Sequence, residues 1–434
     1  MTVAAAGAVL GVLALVLGLG VWVGLALFAP GLVSLAIFRS LPVEKLLAQI
    51  TWNATTTPEL IALPLFILMA EILFHSRLSA SLFTGLAPWT TRLPGRLLHV
   101  NVLGCTMFAA ISGSSAATTA TVGRITLTEL LRRGYDRDLA MGSLAGAGTL
   151  GFLIPPSIIL IIYGVLSETS ILKLFLAGII PGLMLALLYM TWLGIRTSWK
   201  ASLAPDEAET MSLADKLLGL RHLGPVVFLI LAVLGSMYGG IASPSEAAAV
   251  GVLGALIVSA AQRTLTWETI RKASLGAVRT ISMIGLIVAG AYFLSIALGF
   301  LGVPRMIAGE IAALDLSPIA LIVLLLVFYA ILGCVLEGMS SIVMTLPITL
   351  PLVTAAGFDK IWFGVFLVIV VEMAQITPPV GFNLFVIQGM TGERIGRIAR
   401  ATLPFFLIMV GLALLITFVP EVVTFLPNAI RLGH

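Results

Sequence analysis

The stretch GTLGFLIPPSIILIIYG, residues 148–164, sets two prolines in the middle of an apolar run, and EMAQITPPVGFNLFV, residues 372–386, does the same. Proline removes a backbone donor and clashes with the preceding turn, so a pair predicts a broken helix. In hydrocarbon the freed backbone groups have no water to turn to. Such a break survives only where it is buried in protein or lines a polar cavity. The question is therefore what lies opposite each break.

That the surroundings are a membrane follows from composition. Of 434 residues, 59% are hydrophobic and only 10% charged, with mean hydropathy +1.14. Soluble domains carry about 25% charged residues, and several windows exceed the ~18 apolar residues that mark a spanning helix. The net charge of +4 does not indicate nucleic acid, because Lys and Arg fall in loops between apolar runs, as positive-inside topology requires. The two cysteines, Cys105 and Cys334, offer neither a disulfide framework nor a metal spacing. The start lacks a basic n-region, so no cleaved signal is expected. The uncharged run from Thr2 to Phe38 would make roughly 55 Å of helix at ~1.5 Å per residue. It predicts two short helices divided near Gly18–Gly24.

Moving outward from the breaks, the landmarks repeat. Gly104-Cys105 precedes ISGSSAATTATVG (111–123), and Gly333-Cys334 precedes LEGMSSIVMTLP (336–347). A further proline follows each pair, Pro155 to Pro181 and Pro378 to Pro404, 26 residues on in both cases. Charge then orients the halves. Arg92, Arg96, Arg124, Arg132, Arg133 and Arg137 flank the first Gly/Ser segment, against Arg305 and Lys360 at the second. Only Lys173 follows the first broken helix, whereas Arg394, Arg397 and Arg400 follow the second. The enrichment switches sides twice, which predicts repeats of opposite topology. Paired interruptions in inverted repeats point to the binding site of a secondary transporter.

The expected architecture is an all-α polytopic membrane protein. Each repeat holds a re-entrant helical hairpin, 98–128 and 320–354, and a Pro-Pro-broken helix, 139–167 and 361–390. Residues 1–97 and 223–319 supply scaffold helices and arms around repeats 98–195 and 320–434. The polar stretch 196–222 reads as a cytoplasmic linker with an interfacial helix, and 263–279 as a second, amphipathic cytoplasmic segment. Spans are expected at 223–241 and 245–262.

At this point a resemblance becomes specific. SGSSAATTATVG, GTLGFLIPPSIILIIYG, SPSEAAAVG and ITPPVGFNLFV, in this order, resemble the large membrane subunit of tripartite ATP-independent periplasmic (TRAP) transporters, over most of the chain. The resemblance implies an elevator-type importer of the ion-transporter superfamily, in a bacterial or archaeal inner membrane. It would couple sodium to uptake of a small organic anion such as a C4-dicarboxylate, keto acid or sugar acid. Its implied partners are a separate four-helix membrane subunit and a periplasmic substrate-binding protein. No cofactor is implied beyond Na⁺ as coupling ion.

Hydroxyls at a hairpin tip and carbonyls freed by a broken helix supply the oxygens sodium takes. By analogy Ser112, Gly113, Ser114 and Gly151 are assigned to one sodium site. Gly338, Ser340, Thr377 and Pro378 are assigned to another, largely through backbone carbonyls. Ser115, Thr118, Pro156, Ser341, Pro379 and Asn383 are candidates to face substrate, with helix–helix packing as the alternative. Glu372 and Glu337 are candidate ion-coupling carboxylates, or helix braces. Glu337 stands where similar proteins often carry aspartate. Ser243-Pro244-Ser245-Glu246 has the spacing of a capping box, which explains Glu246 without an ion.

Other classes fit less well. An SGSS nucleophile needs a base in reach, yet His75, His99, His222 and His434 all lie beside charged loops or the terminus. There is no phosphate loop for ATP coupling. A channel is at odds with two inverted broken-helix hairpins, which suit alternating access. The alternative within transport is a stand-alone sodium or proton/carboxylate symporter that needs no binding protein.

Overall fold

The computed structural model describes residues 2–205, 213–313, 317–333, 336–379 and 381–430. Among these the fold is all-helical. Seven helices are long and apolar enough to cross a membrane, and five apolar helices of 10–17 residues accompany them. The N-terminal run divides as its length demands: Thr2–Gly18, a turn, then Val23–Ala26 and Phe28–Phe38.

Local signals set the ends of the long helices. Ser243 caps Pro244–Ala261, and the reciprocal bond from Ser243 N to Glu246 Oε2 (2.8 Å) completes a capping box. Glu246 is a structural cap. Thr266 caps Trp267–Leu301, which Gly302 closes in the left-handed conformation at φ 74°. From Trp267 the amphipathic stretch 263–279 runs without interruption into a 35-residue helix. The expected linker also shrinks. Ile171–Trp199 extends into it from one side and Leu213–Tyr238 from the other, leaving 200–212. Of that connection, residues 206–212 lie outside the described residues.

Trp267–Leu301 packs against Phe28–Phe38, Val43–Thr55 and Ala62–Phe74. Ala62–Phe74 in turn packs on Pro244–Ala261, and Leu78–Thr90 on Leu213–Tyr238. The two broken helices lie at the centre. The first is Arg137–Gly148 and Leu150–Leu153, a break, then Ile158–Ser167; the second is Lys360–Gln375, a break, then Phe382–Thr391. Both proline pairs are cis.

Contacts at the two ends fix their relative direction. Arg137 pairs with Glu393 (2.8 Å), and Arg397 with Asp138 (2.6 Å). At the other end Tyr163 Oη donates to the Lys360 carbonyl (2.6 Å), and Lys360 Nζ to the Ser167 carbonyl (3.4 Å). The start of each broken helix thus meets the end of the other, so they run antiparallel. The arginine-rich segments 132–137 and 394–400 share one end, which the positive-inside rule places at the cytoplasm.

Candidate substrate and ion site

The first tip forms where Leu98–Ser112 ends and Ser115–Arg132 begins. Gly113 makes the turn at φ 58°, and the Ser114 side chain caps the next helix at Ala117 N. A serine in this role satisfies an orphan helix donor. The tip lies directly on the first break. Ile158 N donates to the Gly113 carbonyl (3.3 Å), and a Cβ on Gly113 would sit 2.6 Å from the Pro156 carbonyl. On the facing side a Cβ on Gly151 would stand 2.5 Å from the Ser114 carbonyl oxygen. Glycine is required there by backbone-to-backbone approach. Ser112, Gly113, Ser114, Gly151 and Pro156 are therefore brought together. Thr118 joins them: its hydroxyl lies 2.8 Å from Ser112 Oγ and donates to the Ser114 carbonyl (2.7 Å).

The second tip is arranged differently. Pro318–Gly333 and Gly338–Ala355 flank it, and its Cys334 lies outside the described residues. Glu337 is the N-cap of Gly338–Ala355, accepting from Ser340 N (3.2 Å) and from Ser340 Oγ (3.4 Å). The Ser341 hydroxyl is spent on the Glu337 carbonyl (3.1 Å). Gly338 seats against Val371 and Gln375, just ahead of the second break. Thr377 turns its hydroxyl back to the Met373 carbonyl (2.7 Å), and the Thr377 carbonyl accepts from Gly381 N (3.0 Å). Pro378 and Pro379 are exposed. Gly338 and Ser340 thus lie near the start of the break that holds Thr377 and Pro378. Pro379 lies on its open side.

Between the halves sits a buried polar junction. Glu372, 1% exposed, accepts from Ser115 Oγ at 2.8 Å and from Phe152 N at 3.1 Å. Ser115 Oγ has the Gly148 carbonyl at 3.1 Å as a second acceptor and receives Asn383 Nδ2 at 2.9 Å. One carboxylate therefore ties the first tip, the first broken helix and the second broken helix together. Beside it two buried oxygens, Thr119 Oγ1 and Asn383 Oδ1, make no hydrogen bond. Both side chains adjoin Gly148, where a Cβ would meet Thr119 Oγ1 at 1.9 Å and Asn383 Nδ2 at 3.3 Å. Unspent buried oxygens in an otherwise satisfied network are sites for a further donor or cation.

Sequence reasoning found Ser115, Asn383 and Glu372 but assigned them separately. It missed Thr119, Gly148, the Phe152 amide and Gln375. The available signal was GTLG itself, since a glycine one turn ahead of a break marks a close approach. Arg124 is exposed and lies over the Phe74 ring, 5.7 Å from its centroid, away from the junction.

Residues 10–422 match the family model described as the tripartite ATP-independent periplasmic transporter, DctM component. The C4-dicarboxylate TRAP transporter large permease protein DctM of Pseudomonas aeruginosa is 34% identical over 85% of this chain and 86% of its own length. The 2,3-diketo-L-gulonate TRAP transporter large permease protein YiaN of Escherichia coli is 32% identical over 87% and 89%. The isethionate TRAP transporter permease protein DctMQ of Oleidesulfovibrio alaskensis is 32% identical over 95% of this chain, which spans 64% of that protein. Among solved structures, the Alcanivorax borkumensis YdaH transporter superposes with a TM-score of 0.60 at 16% identity, over 90% of this chain and 89% of that one. That likeness concerns the fold alone.

Proposed function

The chain belongs to the DctM component family of tripartite ATP-independent periplasmic transporters, as a large multi-pass subunit of the inner membrane, and from that premise we propose that it imports a small organic anion against its gradient by coupling to sodium. The anion is a carboxylate of the C4-dicarboxylate, keto acid or sugar acid kind. It is delivered by a periplasmic binding protein, and a small four-helix membrane subunit completes the complex. Residues 98–195 and 320–434 move as one transport unit, built as inverted repeats, past the helices of 1–97 and 223–319.

The observation that carries this reading is the junction at Glu372. A fully buried carboxylate inside a membrane is costly and marks an ion or proton pathway by default. Here it joins the first tip to both broken helices, so charge at this point bears on both halves of the site. The first tip offers hard oxygen donors in Ser112, Ser114 and Thr118, which suit sodium rather than a transition metal. Half-helix N-termini at Ser157 and Gly381 would face the anion with their positive dipole ends. Ser115, Ser341 and Asn383, each buried, are the side chains proposed to meet substrate.

The test is uptake of labelled carboxylates into proteoliposomes holding the complex, with the binding protein outside. Uptake should require both the binding protein and an inward sodium gradient. Uptake that proceeds without the binding protein would instead establish the stand-alone symporter, and uptake driven by a proton gradient alone would overturn sodium coupling.

A further inference from the structure

At the cytoplasmic end a cleft of about 230 Å³ opens between Ile171–Trp199 and Ile395–Phe418, with residues 200–205 as its outer wall. The wall is pinned by Asp136 N, which donates to the Leu203 carbonyl (3.0 Å). At the back of the cleft Arg137–Gly148 is in close contact with Ile395–Phe418, since a Cβ on Gly142 would meet the Ala401 carbonyl at 2.2 Å. Leu203, Pro404 and Phe405 give it an apolar floor.

Three cationic or donor groups line it. Arg196 comes one turn after Trp192 on the same helix face, and Arg400 faces them from Ile395–Phe418. Trp192 Nε1 is buried and makes no hydrogen bond. Neither arginine has an ion-pair partner among the described residues. The acids nearby are already engaged. Asp138 is paired with Arg397, Glu393 with Arg137 and Arg397, and Asp136 caps its helix at Leu139 N (2.8 Å). What is left over is two positive charges and an indole N–H.

The cleft also lies beside surface that faces lipid. Leu188, one turn before Trp192 on the same helix face, is 39% exposed, and Leu407, seven residues after Arg400, is 57% exposed. Basic pockets between membrane helices at the cytoplasmic side suit anionic lipid headgroups, and tryptophan belongs at that depth. We propose that this cleft binds the phosphate of an anionic phospholipid from the cytoplasmic leaflet, held by Arg196, Arg400 and the Trp192 indole N–H, with its acyl chains along Leu188 and Leu407. The lipid would brace Ile171–Trp199 of the first repeat against Ile395–Phe418 of the second. The shared chemistry is a phosphomonoester or phosphodiester beside apolar surface, and the bilayer is the source that explains the exposed leucines.

The test is native mass spectrometry of the complex from nanodiscs of phosphatidylcholine and phosphatidylglycerol at 70:30, under stepwise delipidation. Phosphatidylglycerol should be retained at least threefold over phosphatidylcholine, and Arg196→Gln with Arg400→Gln should abolish the preference. Trp192→Phe, which keeps an aromatic ring and removes the indole N–H, should lower it and guards against misfolding of the double variant. Equal retention of the two lipids would overturn the proposal, as would an unchanged preference in both variants. Displacement of the lipid by millimolar glycerol 3-phosphate would also overturn it, in favour of a soluble phosphate ligand.

Discussion

The two Pro-Pro breaks share a sequence pattern and differ in cover. Pro155 and Pro156 are buried, and the first tip lies across them through the bond from Ile158 N to Gly113. Pro378 and Pro379 are exposed, and the second tip rests ahead of its break, against Val371 and Gln375. The proline pair thus specifies where a helix stops but not what covers the gap. Cover depends on the tip. Gly113 and Gly151 allow backbone to meet backbone, whereas Gly338 meets side-chain ends.

The largest effect should come from the group the halves share. Glu372→Leu strands the Phe152 amide, which costs about 1–3 kcal/mol when buried and unsatisfied, and leaves the Ser115 hydroxyl with the Gly148 carbonyl alone. Uptake should fall more than tenfold. Glu372→Gln, which keeps an acceptor, should fold like the parent and separate the charge from the brace. Retained uptake in the leucine variant would remove the carboxylate from the mechanism.

The glycines sharpen the contrast. Gly151→Ala pushes a methyl to 2.5 Å from a backbone oxygen, and overpacking of that kind costs about 1–3 kcal/mol. Gly338→Ala meets Gln375 Nε2 at 2.7 Å, the end of a flexible side chain, and Val371 Cγ1 at 2.5 Å on a stiffer one, with no backbone atom in the way. The first should lower the unfolding midpoint clearly more than the second; equal losses would mean that the second tip is as tightly seated as the first. Labelling offers a third view, because Phe382 is 47% exposed and Ile158 6%, each beginning the helix after its break. Phe382→Cys should react with a water-soluble maleimide at least tenfold faster than Ile158→Cys, and comparable rates would erase the difference in cover.

The smallest effect lies outside the junction. Arg132 and Arg133 hold Glu129 below the usual carboxylate range, chiefly through the Arg132 hydrogen bond. A carboxylate depressed in the fold adds stability above its unfolded value near ~4.3, and that stability is lost as pH falls through the folded value. The Arg132 side chain is 72% exposed, so screening limits the gain to about 0.3–0.5 kcal/mol. Arg132→Gln with Arg133→Gln should flatten the pH dependence of unfolding below pH 5 by that amount, without changing uptake at neutral pH.

Much of the fold was legible because glycine, proline and serine act locally. Gly113 and Ser114 mark a turn and a cap, the prolines mark breaks, and Ser243 with Glu246 makes a capping box in three residues. The junction was less legible because it is made by contacts across the chain. Ser115 and Glu372 are 257 residues apart, and nothing near either names the other. Thr119 was invisible for the same reason: only the approach of Gly148 turns an ordinary helix threonine into an unspent oxygen. The extents of 196–222 and 263–279 were misjudged because polar, amphipathic sequence does not reveal that a span continues through it.

The most direct test of the central claim, that the tips hold sodium, is thermal unfolding of the complex in a sodium series, with potassium keeping ionic strength constant. A ligand bound only by the native state stabilises by about 2.7 kcal/mol at a hundredfold excess over Kd. The account predicts a midpoint that climbs with sodium and not with potassium, and a shallower climb in Ser114→Ala and Ser340→Ala. A midpoint that responds equally to both cations, in all three proteins, would contradict it.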